Sequence, residues 1–212
     1  ARKEINLFAE RTSRMFGMVK ELLHITNENE FNKLFSRIEK YENISDNMEL
    51  EIANYLNKVS EGRLSAESKY EIRGMLREVT EIESIGDSCY NLARTINRKR
   101  NGNQDFTEKQ YEHIHQMMQL TEDALAQMVA VVEDEDRVVD VNKTFNLENE
   151  MNNYRTELKN RNVVDVNNKQ YDYQMGVHYM DLILECEKLG DYVVNVVEAR
   201  SNVKEKKTNE NR

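Results

Sequence analysis

The sequence predicts an all-α protein, built as a tandem duplication of two antiparallel three-helix bundles. Three observations indicate this class. The 212 residues include no Pro and only 7 Gly, so few positions favour turns. Apolar residues recur at three- and four-residue steps over long stretches, which is the pattern of amphipathic helices. One acidic motif also occurs twice, at a fixed spacing of about half the chain.

The repeated motif lies at residues 81–91 and again at 185–195. Both copies follow Glu-x-Glu-x-(Ile or Leu)-Gly-Asp-x-x-x-Asn, and matching residues are 104 positions apart. Gly86 and Gly190 fall inside these helical stretches, where a Gly costs about 1 kcal/mol relative to Ala. We therefore expect another helix or a bulky ligand to approach the backbone at both glycines.

The first half divides into three helices separated by polar breaks. The first is predicted over 4–24 and ends at the polar run 26–29. The second is predicted over 30–59, with aromatic and aliphatic residues on one side. Ser65 is placed as the N-cap of a third helix, 66–99, whose apolar stripe follows a period of 3.6 residues.

The second half repeats this arrangement after a polar, Gly-containing break. Its helices are predicted over 107–135, 139–162 and 168–203. Three helices, a linker and three more helices indicate two antiparallel bundles. The predicted organisation is a first bundle over 1–100, a linker over 101–106, a second bundle over 107–203 and a disordered polar tail over 204–212.

Composition narrows the classes of function. The net charge is −9, which argues against a general nucleic-acid binder, because phosphate contacts need clustered Lys and Arg. No run of 18 apolar residues occurs, so we expect no membrane insertion by this segment. Cys89 and Cys186 are predicted as buried structural thiols. The chain starts at Ala1 within helical sequence, and we expect it to be part of a longer protein.

Two acidic pairs in the first half are candidates for metal ligation. Glu42 and Asp46, and likewise Glu83 and Asp87, are four residues apart and lie on one side of their helices. The pairs are about equally far from the predicted break near residue 64, so antiparallel folding brings them level. Four carboxylates on two adjacent helices are suited to a hard cation or to iron.

The second half contains a less complete version of this arrangement. Glu187 and Asp191 repeat the second acidic pair, and Glu148 stands where the first pair begins. Asn152 replaces the expected carboxylate. The predicted site in the second half therefore has three acidic ligands and an amide.

Two alternatives to metal binding remain open. Acidic pairs at this spacing are common on solvated helix surfaces. The motif residues Asn91 and Asn195, together with the carboxylates, could instead cap or bridge helices through Arg and Lys. A metal-free helical adaptor is the function that either alternative favours.

A different metal chemistry is suggested by Glu21 and His24. Their Glu-x-x-His spacing is that of half a ferritin-like di-metal site. Such an oxidase would turn over oxygen with iron and lose activity in His24→Ala, and we expect neither property. His113 and His115 are two residues apart, so they face different sides of a helix and make a poor metal pair.

The motif at 82–87 with Asn91, and its copy at 186–191 with Asn195, resembles the signature of the PhoU family, L-E-R-I-G-D-x-x-x-N-I. The resemblance covers about residues 10–200 and implies a PhoU-like tandem of three-helix bundles. The signature's Arg is replaced in both copies, and Asn152 departs from the family's acidic pattern, which puts a metal cluster in the second bundle in doubt.

The resemblance implies a non-catalytic regulator of phosphate uptake. Family members bind multinuclear iron or zinc clusters through their acidic motifs. Carried onto this sequence, the candidate metal ligands are Glu42, Asp46, Glu83, Asp87, Glu148, Glu187 and Asp191.

The resemblance also implies a membrane transporter as partner, at the cytoplasmic face of the inner membrane. Some members are the C-terminal domain of a type II-like bacterial sodium/phosphate cotransporter, and we favour this context from residues 72–77 and the start at Ala1. The alternative is a standalone regulator of a phosphate ABC transporter and its sensor kinase. A second copy of the chain, forming a homodimer, is a further candidate partner.

Overall fold

A computed structural model describes residues 1–134 and 140–210 of the chain, with side chains up to residue 202. Six α-helices make up its regular structure. They are α1 (Arg2–Leu22), α2 (Glu28–Ser60), α3 (Ala66–Arg100), α4 (Glu108–Glu133), α5 (Val141–Asn167) and α6 (Tyr173–Glu210).

Short polar side chains fix where the helices begin. The Ser65 hydroxyl accepts a hydrogen bond from the backbone N–H of Ser68 at 3.1 Å, which confirms the predicted N-cap of α3. The side chain of Asn27 caps α2 in the same way. At the start of α4, Thr107 and Gln110 form a reciprocal capping box. These caps satisfy N–H groups that a helix leaves without a partner in its first turn.

The last connection of the chain differs from the prediction. α5 continues to Asn167, beyond the predicted end at 162, and the turn to α6 occupies 168–172. Lys169 enters this turn with a φ of 56°, in the left-handed region, and its N–H bonds to the carbonyl of Val166. This residue takes the C-terminal position that Gly usually fills.

Two predicted boundaries lie partly outside the described residues. The predicted end of the fourth helix and start of the fifth fall within 135–139. The segment predicted as a disordered tail, 204–212, is helical as far as Glu210, and 211–212 lie outside the described part. No Gly or Pro interrupts the chain after Gly190, so nothing in the sequence ends α6 earlier.

The helices form two three-helix bundles that share one apolar core. α1, α2 and α3 pack together, as do α4, α5 and α6. α3 packs along α6, and α1 packs on α4, so buried side chains of the two bundles are continuous. This confirms the predicted fold class. It leaves α2 and α5 on opposite flanks, each packed on the central helix of its own bundle.

Reciprocal hydrogen bonds join the two copies of the acidic motif. The Asn91 side chain donates to Glu185 at 3.2 Å, and the Asn195 side chain donates to Glu81 at 3.1 Å. Because the numbering rises along α3 as it falls along α6, the two helices are antiparallel. The motif asparagines therefore bridge helices, but they do so through carboxylates and not through Arg or Lys.

A buried ion pair also joins α3 to α6. The Arg200 guanidinium donates to both carboxylate oxygens of Glu78, at 2.8–3.1 Å, and to the backbone carbonyl of Val132 at 2.8 Å. Arg2 adds a contact to Glu78 at 3.1 Å. Since a buried charge is costly unless it is paired and hydrogen-bonded, this network ties α1, α3, α4 and α6 together.

Candidate metal site

The antiparallel packing of α2 and α3 brings three predicted ligands together. Oxygen atoms of Glu42, Asp46 and Asp87 lie within 4.8 Å of one another. The turn at 61–65 places the two acidic pairs level, as the sequence spacing predicts. Glu42 and Asp46 are half-buried and Asp87 is exposed, so the group opens to solvent on one side.

Two further carboxylates border this group. Burial raises the pKa of Glu83 to about 7, with added repulsion from Asp87, Glu49, Asp46 and Glu42. Burial, with Asp46 and Asp87, also raises the pKa of Glu49. We define the first acidic site as these five residues, none of which is paired with a cation in a described ion pair.

Glu49 was missed by the sequence prediction. It stands three residues after Asp46, so both side chains lie on the same side of α2. This spacing was the available signal. The predicted pairs are four residues apart, so Glu49 is not among them.

Gly86 lets α2 approach α3 closely beside the first acidic site. A Cβ at Gly86 would lie 3.7 Å from the Cβ of Ser45 and 3.9 Å from a methyl group of Thr12. Ser45 is itself buried, and its hydroxyl donates back to the carbonyl of Tyr41 at 2.8 Å. Small residues on both helices therefore hold the two acidic pairs next to each other, as the glycine position predicted.

In the second bundle, α5 and α6 place a different set of groups at the matching positions. We define the second acidic site as Glu148, Asn152, Arg155, Glu187 and Asp191. The Asn152 amide donates to Glu148 at 2.5 Å. Burial, followed by Glu187 and a shared hydrogen bond with Glu148, raises the pKa of Asp191 to about 6, whereas Arg155 acts to lower it.

The two sites differ most in charge. Asp46 corresponds to Asn152 and Glu49 corresponds to Arg155, each 106 positions apart. The first site thus has five carboxylates, while the second has three, together with an amide and a guanidinium. Among the residues that the structure describes, only the first site forms a group of three ligands close enough to share one ion.

The donor chemistry therefore fits a metal at one site only. Carboxylate oxygens are the ligands that hard cations and iron accept, and the first site offers them without a competing cation. At the second site, Arg155 supplies the positive charge that a metal would bring. That Glu148, Glu187 and Asp191 ligate metal stays a prediction; among the described residues, these three do not form a group whose ligand atoms all lie within 4.8 Å of one another.

The second site is also more crowded. A Cβ at Gly190 would lie 2.9 Å from the sulfur of Met151, which stands where the first bundle has Ser45. Met151 is fully buried. The sequence predicted that a helix or a bulky ligand approaches the backbone at Gly190. In the structure, the side chain of Met151 on α5 fills this space.

The histidines do not form a ferritin-like centre in the described part of the chain. His24 lies just after α1 with an exposed side chain, next to the exposed His115 of α4. Glu112 precedes His115 by three residues, so a second Glu-x-x-His spacing exists and is missing from the sequence prediction. Ferritin-like ligands project into a bundle core, and these two imidazoles lie at the surface.

Among the described residues, no helix combines the length and the apolar character that crossing a bilayer requires.

Fold and site together define a duplicated helical domain with carboxylate-rich helix pairs, one of them suited to a cation. Comparison with family models identifies the family. The chain belongs to the PhoU domain family, whose model matches residues 5–96 and 114–199, one segment in each bundle. A comparison with curated proteins finds no match.

Solved structures of similar fold come from two bacteria. The phosphate transport system regulatory protein PhoU from Streptococcus pneumoniae aligns with a TM-score of 0.77 and 12% identity, over 95% of this chain and 92% of that one. PhoU from Pseudomonas aeruginosa aligns with a TM-score of 0.72 and 13% identity, over 95% and 94%. At these identities the likeness establishes the fold.

Proposed function

We propose that the chain is a non-catalytic regulatory domain of phosphate transport whose first acidic site binds iron or zinc. The observation that carries the proposal is the PhoU family match in both bundles. The similar S. pneumoniae protein is described as a phosphate transport regulatory protein, which supports the same role for this chain. The regulated partner would be a membrane transporter, met at the cytoplasmic face of the membrane.

The first acidic site supports the metal part of the proposal. Glu42, Asp46 and Asp87 would supply the ligand oxygens, with Glu49 and Glu83 at the border. A bound cation would offset the repulsion among these carboxylates and would join α2 to α3. Its role is therefore structural and regulatory, since it would set how firmly α2 is held on the central helix.

Metal content tests this directly. Untagged protein purified without chelator is analysed by ICP-MS beside Glu83→Gln/Asp87→Asn, with Glu187→Gln/Asp191→Asn as the matched control in the second bundle. We expect iron or zinc in the wild type and in the control, and loss of the metal from the first variant. Metal-free wild-type protein whose melting temperature does not respond to added iron or zinc would favour the helical adaptor.

Two contexts for the domain are compatible with the family. We propose attachment to a sodium/phosphate cotransporter, because residues 72–77 resemble the cotransporter-fused form. A standalone regulator of a phosphate ABC transporter and its kinase fits the family equally. An immunoblot of source cells separates the two: a larger membrane-bound polypeptide supports attachment, and a species near 25.1 kDa supports the standalone form.

The regulatory role needs a test in cells. Phosphate uptake is measured in a strain lacking the segment and after complementation with wild type or with Glu83→Gln/Asp87→Asn. We expect uptake to change when the segment is lost and to return with the wild type. Unchanged uptake in the deletion strain, at both low and high phosphate, would contradict the regulatory proposal.

A further inference from the structure

Two histidines from different bundles face each other at the surface. His24 follows the end of α1, and His115 lies in α4, 91 positions later. Their Nε2 atoms are 2.8 Å apart, with ring centroids at 4.7 Å. The ring of Tyr111 lies 6.2 Å from both imidazoles, on the α4 side. α1 and α4 are also joined here by an ion pair between Lys20 and Glu122.

The contact requires at least one imidazole to present a free lone pair. If both Nε2 atoms carried hydrogen, two donors would meet without an acceptor. Partial burial and the neighbouring His115 both lower the pKa of His24, which favours its neutral form. A neutral imidazole nitrogen is the group that Zn²⁺, Cu²⁺ and Ni²⁺ bind in proteins.

Exposed acidic residues precede both histidines in the sequence. Glu21 and Glu112 stand three residues before His24 and His115, and both are exposed. Lys109 pairs with Glu112 at 3.2 Å. No third ligand group in the described part of the chain converges on the two nitrogens. The remaining coordination positions therefore fall to water, which the exposed setting provides.

We propose that His24 and His115 form a two-imidazole site for a divalent transition metal of the zinc–copper group, bridging the two bundles. The ligands are nitrogens, so the site favours Cu²⁺ more strongly than the carboxylates of the first acidic site do. A bound ion takes the place of the hydrogen between the two Nε2 atoms. Because one ligand belongs to each bundle, binding fastens the end of α1 to α4. This proposal is independent of the regulatory function and of the acidic site.

The experiment uses Cu²⁺ as a spectroscopic probe and Zn²⁺ as a thermal probe. One equivalent of Cu²⁺ is added to the full chain, and the EPR spectrum is examined for coupling to two imidazole nitrogens. Affinity is measured by calorimetry for the wild type, His24→Gln and His115→Gln. Gln119→Ala, an exposed change on the same helix, is the control.

We expect a two-nitrogen spectrum in the wild type and the control, and affinity at least tenfold weaker in each histidine variant. Zn²⁺ should raise the melting temperature of the wild type more than that of either histidine variant, because all three retain the first acidic site. An oxygen-only spectrum, or wild-type affinity in either variant, would overturn the proposal. The wild-type spectrum needs no variant, so the result stands even where a substitution impairs folding.

Discussion

Replacing Glu83 by Gln is expected to stabilise the metal-free protein above pH 7. In the first acidic site, burial and four neighbouring carboxylates raise the pKa of Glu83 from its ordinary value of 4.5 to about 7. The folded protein therefore holds a proton there that the unfolded chain releases. Stability must fall as the pH rises through the window between these two values. The penalty is absent below pH 4.5 and complete above pH 7.

The size of the stability gain in Glu83→Gln follows from the pKa shift of Glu83. Each pKa unit corresponds to about 1.4 kcal/mol, so the full shift of Glu83 is worth about 3 kcal/mol as an upper bound. The carboxylate is only half-buried, and solvent screens its repulsion. We expect Gln to recover about 1–2 kcal/mol of unfolding free energy at pH 8. For a chain of this size, that raises the melting temperature by about 3–6 °C.

The assay is thermal unfolding in EDTA at pH 5 and pH 8, followed by circular dichroism. Glu187→Gln is the matched control, and we expect a smaller gain because Arg155 already offsets the charge there. When EDTA is removed and iron or zinc is added, the order should reverse, and the wild type should become more stable than Glu83→Gln. A variant that is no more stable than the wild type at pH 8 in EDTA would refute the electrostatic argument.

Three other substitutions have expected outcomes. Gly86→Ala should raise the unfolding free energy by up to about 1 kcal/mol, because its Cβ meets only ordinary contacts. Gly190→Ala should gain less, because its Cβ would lie 2.9 Å from the sulfur of Met151 and that buried side chain must shift. Urea unfolding measures both, and equal effects would contradict the packing argument. Asn152→Asp/Arg155→Glu gives the second acidic site five carboxylates, so the number of metal ions per chain measured by ICP-MS should double. An unchanged number would show that charge alone does not make a metal site. Lys169→Gly should stabilise the protein by about 0.5–1 kcal/mol in the same urea assay, because Gly takes the left-handed conformation without strain. A loss of stability would mean that the lysine side chain contributes to the turn.

The sequence predicted the fold and the position of the first acidic site because both follow from periodicity. Antiparallel helices joined by a short turn place residues at equal distances from the turn at the same height. The sequence therefore predicted that Glu42 and Asp87 lie at the same height, and in the structure their carboxylates are close together. The glycine in each repeat likewise indicated a close approach, since its cost inside a helix needs a packing reason.

What the sequence could not predict depends on how the bundles pack against each other. The pairing of Glu78 with Arg200 needs the relative height of α3 and α6. The contact of His24 with His115 needs the packing of α1 on α4, which no local pattern specifies. The role of Arg155 could be predicted in part. The repeat offset shows that it is the equivalent of Glu49, but only the structure places it near Asp191.

The reciprocal hydrogen bonds of Asn91 and Asn195 have a consequence for the origin of the chain. Glu81 and Glu185 are equivalent residues of the two repeats, so each repeat offers the other the same donor and the same acceptor. This exchange is the rule of an isologous contact, in which two identical surfaces meet around a two-fold axis. The contact between α3 and α6 thus has the form of a homodimer interface held within one polypeptide. Covalent joining frees the halves to diverge, and the two acidic sites, with Glu49 in one and Arg155 in the other, have done so while the contact between them stayed symmetric.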